Sequence, residues 1–184
     1  MPLLHFPKPY ADRVARLRVP AGFVLVAAFA WFSHPGAQSL GFGLPVSILG
    51  LALRAWSAGH LAKNQRLATS GPYAYTRNPL YLGTLLVAAG LAGASRSPGL
   101  GLLFAAVFAF VYLPVIELEE QHLRQLFPDY AAYAARVPAL LPTLHPAKSL
   151  HPFRWALYLR NQEFQAALGL LAGAFFLVWK VWRS

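Results

Sequence analysis

Long apolar runs are the feature that most limits how this chain can fold. Five of them recur along the sequence, at residues 19–33, 40–60, 80–94, 100–116 and 164–182. A helix needs roughly 20 residues, within a range of about 17–25, to cross the hydrocarbon layer of a bilayer. The second and fifth runs meet this length, whereas the first and third are short and need neighbouring residues or a locally thinner bilayer. The pattern predicts an all-α polytopic membrane protein with about five transmembrane helices.

The composition agrees with a membrane protein and excludes several other classes. Hydrophobic residues make up 57% of the 184 residues and charged residues only 12%, whereas charged residues account for about 25% of a soluble domain. The net charge of +10 comes from basic residues between the apolar runs, which indicates membrane topology and attraction to anionic lipids rather than nucleic-acid binding. The sequence has no cysteine, so disulfides, thiolate metal ligands and cysteine nucleophiles are excluded.

The connections between the runs indicate the domain organisation. The links "SHPGAQS" and "SRSPG" are short and rich in turn-forming residues, which predicts one helical hairpin from runs one and two and another from runs three and four. We expect a single membrane domain over residues 1–184. It comprises an N-terminal helical hairpin region at 1–50, a core at 51–142, and an interfacial segment with the last transmembrane helix at 143–184. The first run is interpreted as a retained helix, because further spans follow it.

Lysine and arginine are distributed unequally between the two ends of the predicted spans. One end carries Lys8, Arg13, Arg16, Arg18, Lys63, Arg66, Arg77, Arg124, Arg136, Lys148, Arg154 and Arg160. The other end carries Arg96, Lys180 and Arg183. Because cytoplasmic loops are enriched in basic residues, we expect a cytoplasmic N-terminus, a C-terminus on the opposite side, and location in a bacterial inner membrane.

The connection "LATSGPYAYTRNPLYLG", residues 67–83, concentrates polar and aromatic residues at the start of the third run. Asn78 is a favourable N-cap and Pro79 suits the first helical position, so the helix is expected to start there. A helix N-terminus favours an anion, and the adjacent Arg77 adds donors suited to a carboxylate or phosphate. The turn "SGPY" brings Tyr73 towards this helix start, and Tyr81 lies in its first turn.

A second polar cluster ends the fourth run. Glu117, Glu119 and Glu120 are three of only six acidic residues in the chain, and they lie within about one helical turn. Ionisable groups at a membrane edge are costly and indicate function. Arg77 is the expected partner of Glu119 or Glu120, although Glu120 and Arg124 have the i, i+4 spacing of a simple surface pair. Beyond them, an amphipathic interfacial helix is predicted by the spacing of Leu123, Phe127, Tyr130 and Tyr133.

Taken together, the two clusters resemble the integral-membrane methyltransferase family, which includes isoprenylcysteine carboxyl methyltransferases and phospholipid methyltransferases. The first motif reads Gly71, Tyr73, Arg77, Asn78, Pro79, Tyr81 and Gly83, and the second reads Glu119, Glu120, Leu123, Phe127, Tyr130, Tyr133, Val137, Pro138 and Pro142. The resemblance covers residues 51–142. The prenylcysteine branch usually has histidine where this chain has Asn78, and the phospholipid branch tolerates Asn-Pro there. Arg77, in contrast, is more similar to the prenylcysteine branch.

The resemblance implies a cofactor, S-adenosylmethionine, bound at the cytoplasmic ends of the spans and released as S-adenosylhomocysteine. The implied cofactor-binding residues are His60, Leu67, Ala68, Gly71, Tyr73, Arg77, Asn78, Pro79, Tyr81, Gly83, Glu119 and Glu120. Arg77 and Glu120 are the expected catalytic residues, Glu120 as a general base or cation partner. We expect Arg77→Ala and Glu120→Gln to abolish methyl transfer in a protein that still folds. Membrane lipids and a lipophilic acceptor are the expected partners, with no metal and no nucleic acid.

Several alternatives stay open at this level. The chain is either such an enzyme, an inactive membrane scaffold of the same fold, or an oxidoreductase related to sterol reductases. The acceptor is a phospholipid amine, a prenylated cysteine carboxylate, or a small lipophilic thiol or amine, and the oligomeric state is unknown. Within the second run, Arg54 either extends to the cytoplasm or pairs with a glutamate of the fourth run. Residues 153–165 are interpreted as an interfacial segment without assigned chemistry.

Overall fold

The structure is a computed structural model that describes residues 6–146 and 151–183. In chain order its elements are α1 (Lys8–Phe32), α2 (Ala37–Ala58), a 3-10 turn (Gly71–Ala74), α3 (Pro79–Ser95), α4 (Pro98–Val107), a π-helical segment (Phe108–Tyr112), α5 (Leu113–Leu126), α6 (Tyr130–Arg136), α7 (Trp155–Arg160) and α8 (Phe164–Arg183). No strand occurs in these two ranges, so the predicted all-α class is confirmed. Lys148, part of the charge pattern above, lies outside the described residues.

The helices long enough to cross a membrane are fewer than the five predicted. Three described helices meet the requirements of length and hydropathy: α2, the continuous helix Pro98–Leu126, and α8. A fourth span results if the two halves of α1 are counted together. Helix α3 is apolar but has only 17 residues. The protein is therefore a multi-pass membrane protein with three to four candidate spans and a shorter apolar helix beside them.

Helix α1 is bent at the point where the first apolar run begins. Its halves Pro9–Leu17 and Val19–Phe32 meet at an angle of 51°. Pro20 follows the bend directly, and a proline ring clashes with the carbonyl four residues earlier and removes one hydrogen bond. The helix therefore changes direction where its basic N-terminal part gives way to its apolar part.

Helices α2 and α3 form the most closely packed pair in the described structure. Both contribute buried glycines seven residues apart, Gly43 and Gly50 on α2 and Gly83 and Gly90 on α3. A Cβ atom on Gly90 would lie 2.5 Å from the Gly43 carbonyl oxygen, and one on Gly50 would lie 2.6 Å from that of Gly83. Small residues let two helix backbones approach this closely inside a bilayer.

The predicted hairpin of the first two runs is not a packed pair. A short link at residues 33–36 connects α1 to α2, but α1 packs along α4, the π-helical segment and α5, whereas α2 packs against α3 and α8. The short link does not force packing, because the glycine-lined face of α2 fits α3 more closely. The second predicted hairpin does form, since α3 contacts α4.

Helix α8 closes the bundle at the end opposite the polar motifs. Leu177 packs there with Phe29, Ala94 and Leu100 in one buried cluster. Lys180 donates hydrogen bonds to the Ala30 carbonyl at 2.9 Å and to the Ser33 carbonyl at 2.7 Å. A positive charge at a helix C-terminus is favourable, so this lysine attaches the end of α8 to the end of α1.

Candidate functional site

At the other end of the bundle, the helices surround a cavity of about 870 Å³. The C-terminal end of α2, the start of α3, the end of α5, α6 and the turn before α8 contribute to its wall. Its volume lies near the upper end of the range of about 300–1,000 Å³ that is typical of small-molecule sites. The two sequence motifs therefore meet at one cavity. Of the residues predicted to bind cofactor, those that line it are Leu67, Ala68, Tyr73, Arg77, Asn78, Pro79, Tyr81 and Glu119.

Arg77 and Glu120 form a buried ion pair beside this cavity. The Nε and Nη2 atoms of Arg77 donate to the two carboxylate oxygens of Glu120 at 2.9 Å each, and the side chains are only 3% and 2% exposed. Nη1 donates to the carbonyls of Ala134 and Val137 at 3.0 and 2.8 Å. Burial acts to lower the pKa of Arg77, but the hydrogen bonds and charge of Glu120 outweigh it and raise the pKa. The pair thus joins the residue before the N-cap of α3, the middle of α5 and the end of α6.

The possible surface pair between Glu120 and Arg124 is present but much weaker in geometry. Arg124 Nη2 lies 3.8 Å from Glu120 Oε2, and the Arg124 side chain is 44% exposed. Glu120 does not line the cavity itself. Its oxygens are directed at Arg77 and Asn78, so it is a buried anchor behind the cavity wall.

Asn78 occupies the N-cap position of α3, but its side chain does not cap the helix. Its amide instead donates to Glu120 Oε1 at 3.0 Å and to the Ala139 carbonyl at 3.1 Å. The expected side-chain cap is therefore wrong, although α3 does begin at Pro79. The reason is the buried carboxylate on α5, which offers the amide a charged acceptor, and such hydrogen bonds are stronger than neutral ones.

The connection before α3 is held by the segment after α6. The Thr76 hydroxyl donates to the Ala139 carbonyl at 3.0 Å, and the Tyr133 hydroxyl donates to the Tyr73 carbonyl at 2.7 Å. The Arg77 backbone N–H donates to the Pro138 carbonyl at 2.9 Å. The second motif of the sequence is therefore the scaffold that holds the first in shape.

Tyr130 is the one described side chain with a buried polar atom that lacks a well-formed hydrogen bond. The residue is 1% exposed and lines the cavity. Burial, and next the negative charge of Glu120, raise the pKa of its hydroxyl, which therefore stays protonated. A buried polar group without a well-formed hydrogen bond is costly, so this hydroxyl is available to a polar atom in the cavity.

Of the two adjacent glutamates, Glu119 and Glu120, it is Glu119 that faces the cavity. It is exposed there and accepts a hydrogen bond from the Tyr81 hydroxyl at 2.8 Å. The Tyr81 ring contacts the Tyr112 ring at a centroid distance of 6.0 Å. Tyr112 ends the π-helical segment of the long helix, and such segments often occur at functional sites. One carboxylate and two aromatic rings thus lie together on the cavity wall.

His60 and Gly71 lie next to each other but do not line the cavity. His60 Nδ1 shares a hydrogen bond with Ser70 Oγ at 3.0 Å. Gly71 has a φ of +59°, and a Cβ atom there would lie 2.6 Å from the imidazole. Burial, followed by the positive charges of His151 and Arg66, lowers the pKa of His60. Here a neutral imidazole packs against a turn that needs glycine.

Gly83 also lies away from the cavity, against α2. A Cβ atom there would lie 2.6 Å from Arg54 Cγ and 2.7 Å from the Gly50 carbonyl. The glycine therefore makes room for another helix and for the aliphatic part of an arginine side chain.

The partner of Arg54 is one that sequence reasoning missed. Arg54 pairs with Glu163, in the turn before α8, at 2.8 Å between Nη2 and Oε1, and not with a glutamate of the fourth run. Both residues line the cavity. The sequence offered two signals, an arginine within an apolar run and an isolated glutamate in the basic segment at 153–165. A local pattern does not reveal a contact between residues more than 100 positions apart.

Comparison with known proteins identifies the family of the chain. A phospholipid methyltransferase family profile matches residues 18–130. The chain belongs to the phospholipid methyltransferase family. The matched part of the chain contains α2, α3 and α5 and thus the cavity residues from Arg54 to Tyr130, whereas Glu163 lies beyond it.

Two curated relatives are similar to most of the chain. The cobalt-zinc-cadmium resistance protein CzcN of Cupriavidus metallidurans is 36% identical over 141 residues, which are 72% of this chain and 64% of the relative. The nickel-cobalt-cadmium resistance protein NccN of Alcaligenes xylosoxydans xylosoxydans is 32% identical over 139 residues, which are 72% of this chain and 65% of the relative. The chain thus spans just under two thirds of the length of these relatives. No solved structure matches it.

Proposed function

We propose that this protein is a membrane methyltransferase that uses S-adenosylmethionine to methylate an oxygen, nitrogen or sulfur atom of a lipophilic acceptor. The observation that carries the proposal is the cavity itself. A buried ion pair, a Tyr130 hydroxyl without a well-formed hydrogen bond and an exposed Glu119 converge at one cavity, in a chain of the phospholipid methyltransferase family.

The donor groups of the cavity suit this cofactor. Arg77 uses four of its five N–H donors within the protein, which leaves one for a carboxylate. The Tyr130 hydroxyl makes no well-formed hydrogen bond to the described residues. The Tyr73 and Tyr81 rings suit a sulfonium cation, and Leu67 and Ala68 provide apolar surface for an adenine. When bound, the cofactor supplies a methyl group with an activated leaving group.

The geometry supports different roles for the two neighbouring glutamates. Glu120 fixes Arg77 and Asn78 from behind the wall and is a positioning residue. Glu119 faces the cavity with only the Tyr81 hydroxyl on it in the described contacts. We therefore assign to Glu119, and not to Glu120, the role of cation partner or proton acceptor for an amine or thiol. Holding the two reactants in line lowers the activation free energy of such a reaction by up to roughly 7–11 kcal/mol.

The acceptor is proposed to enter from the bilayer, and the cavity to open on the cytoplasmic face of a bacterial inner membrane. Lys63 and Arg66 line the cavity, whereas Arg96 lies at the other end of the bundle. This placement, together with the enrichment of basic residues in cytoplasmic loops, supports a cytoplasmic N-terminus and a C-terminus on the opposite side. The inactive scaffold is disfavoured, because it has no need for a carboxylate, that of Glu119, that faces a cavity.

Ligand-dependent stability of the purified protein in lipid nanodiscs tests the proposal. S-adenosylhomocysteine at 100 times its Kd should stabilise the protein by about 2.7 kcal/mol, whereas NADPH should leave its Tm unchanged. Labelled methyl groups from S-adenosylmethionine should appear in a lipid extract, and Glu119→Gln should abolish this transfer while keeping the wild-type Tm. Stabilisation by NADPH alone would indicate an oxidoreductase, and stabilisation by neither ligand, without transfer, a scaffold.

A further inference from the structure

The cavity contains a second charge pair that the proposed cofactor site does not use. Arg54 Nε and Nη2 donate to the two oxygens of Glu163 at 3.0 and 2.8 Å. The side chains are 22% and 10% exposed, and both line the cavity. The pair joins α2, inside the family core, to the turn before α8, outside it.

Arg54 is hydrogen-bonded to α3 as well as to Glu163. Its Nη1 donates to the Thr84 hydroxyl and to the Leu80 carbonyl, both on α3. Because Gly83 has no side chain, the aliphatic part of Arg54 fits between α2 and α3. A bidentate pair with planar geometry restrains both partners, so the carboxylate of Glu163 has a defined position at the cavity wall.

The neighbouring turn is fixed independently of this pair. The Asn161 amide donates to the carbonyls of Ala58 and Leu61 at 3.0 and 2.9 Å, at the C-terminal end of α2. The Arg154 backbone N–H donates to the Gly59 carbonyl at 2.9 Å. Attachment of the turn therefore does not depend on the ion pair, and a charged pair in an apolar setting is a poor source of stability. Beyond neutralising Arg54, the charge of Glu163 is therefore not needed to attach the turn.

The carboxylate of Glu163 keeps capacity for a further hydrogen bond. Each oxygen accepts one hydrogen bond from Arg54, whereas a carboxylate offers about four acceptor positions. Tyr73, Glu119 and Glu163 all line the same cavity. Glu163 therefore lines the same cavity as the residues proposed to surround the transferred methyl group, and it belongs to the C-terminal segment of the chain.

Resting on the proposed function, we propose that Glu163 binds the polar group of the methyl acceptor, with Arg54 as the residue that positions it. A carboxylate with remaining acceptor capacity selects an acceptor that presents an N–H or O–H donor next to the reacting atom. The family core then supplies the cofactor site, and the turn before α8 contributes to the choice of acceptor.

This assignment is tested by measuring cofactor binding and use of the acceptor separately. Both measurements use the Glu163→Gln variant in nanodiscs. The first measures the Kd for S-adenosylhomocysteine. The second measures methyl transfer from labelled S-adenosylmethionine while the amount of a lipid extract, which supplies the acceptor, is increased. We expect an unchanged Kd for S-adenosylhomocysteine and a 10- to 100-fold larger amount of extract for half-maximal transfer, as loss of a hydrogen bond to a charged group costs about this factor. Lys180→Gln, which loosens the far end of α8, is the control and should resemble the wild type.

A second variant keeps the test decisive if Glu163→Gln does not fold. Glu163→Asp retains the charge and withdraws the carboxylate by one methylene, so transfer should fall with the Kd for S-adenosylhomocysteine unchanged. Wild-type transfer by Glu163→Asp, a weakened Kd in either variant, or an equal defect in Lys180→Gln would overturn the assignment. A wild-type protein that neither binds S-adenosylhomocysteine nor transfers methyl groups would instead refute the proposed function, and this assignment with it.

Discussion

At the scale of single residues, Arg77 has a structural role as well as the catalytic one expected from its motif. Its guanidinium links Glu120 on α5 to the last carbonyls of α6 and is almost completely buried. Removing one partner of a buried ion pair leaves an uncompensated charge, which is costly. The sequence predicts loss of activity in a protein that still folds, and the structure adds a loss of stability.

The two arginines near Glu120 offer a matched comparison of that cost. Arg77→Gln should lower the free energy of unfolding by about 3–5 kcal/mol, because it leaves Glu120 buried without its bidentate partner. Arg124→Gln should lower it by less than about 1 kcal/mol, because that contact is long and largely exposed. Denaturant unfolding in detergent, followed by tryptophan fluorescence, measures both. Equal losses in the two variants would contradict the assigned geometry.

At the scale of elements, the α2–α3 interface determines where the site residues lie. Its glycines bring the two backbones into contact, and Ser47 on α2 donates to the Val87 carbonyl on α3 at 3.1 Å. The start of α3, with Arg77 and Asn78, is thereby held beside the end of α2. Packing of small residues far from the cavity is thus a condition for the cavity itself.

Two glycines of α3 differ only in what surrounds them, which allows a controlled test. A Cβ atom on Gly90 would lie 2.3 Å from Ser47 Oγ and 2.5 Å from the Gly43 carbonyl, whereas one on Gly93 would meet nothing within 4 Å. We expect Gly90→Ala to destabilise the protein by about 1–3 kcal/mol. Gly93→Ala should be neutral or stabilise it by up to about 1 kcal/mol, because alanine favours helix. A Tm lowered equally in both variants would argue against this interface.

At the scale of the whole molecule, the helix order places both motifs at one end of the bundle. The start of α1, the end of α2, the start of α3 and the end of α5 share that end, and the C-terminal end of α8 meets the end of α1 at the other. The cavity therefore belongs to one face of the membrane. Its assignment to the cytoplasmic face stays a prediction from the charge pattern.

The absence of native cysteines makes that orientation easy to test. In a chain without other thiols, Gln38→Cys reports on the end near the α1–α2 link and Gln65→Cys on the cavity end; both positions are exposed. In intact cells, a membrane-impermeant maleimide should label Gln38→Cys, and should label Gln65→Cys only after permeabilisation. The reverse pattern would place the cavity on the outer face, away from the cytoplasmic cofactor pool.

Much of the fold was predictable from residue order, because the signals are local. Hydropathy along the chain indicated an all-α membrane protein, and the "NP" start of α3 was correctly located. The number of full spans was overestimated, because α3 has only 17 residues and α1 is bent at a proline whose effect depends on its neighbours. The hairpin of α1 and α2 failed for a similar reason, since the packing partner of a helix is set by its whole face and not by the length of its link.

The sequence by itself indicated a multi-pass membrane protein of the phospholipid methyltransferase family, and predicted that Arg77 and the Glu119–Glu120 pair lie near one another. Only the tertiary structure decided which carboxylate faces the cavity, that Asn78 bonds to Glu120 instead of capping α3, and that Arg54 pairs with Glu163. The physical reason is that composition and motif spacing act over a few residues. The direction of a side chain, in contrast, depends on the rotation of its helix against partners that are distant in the chain.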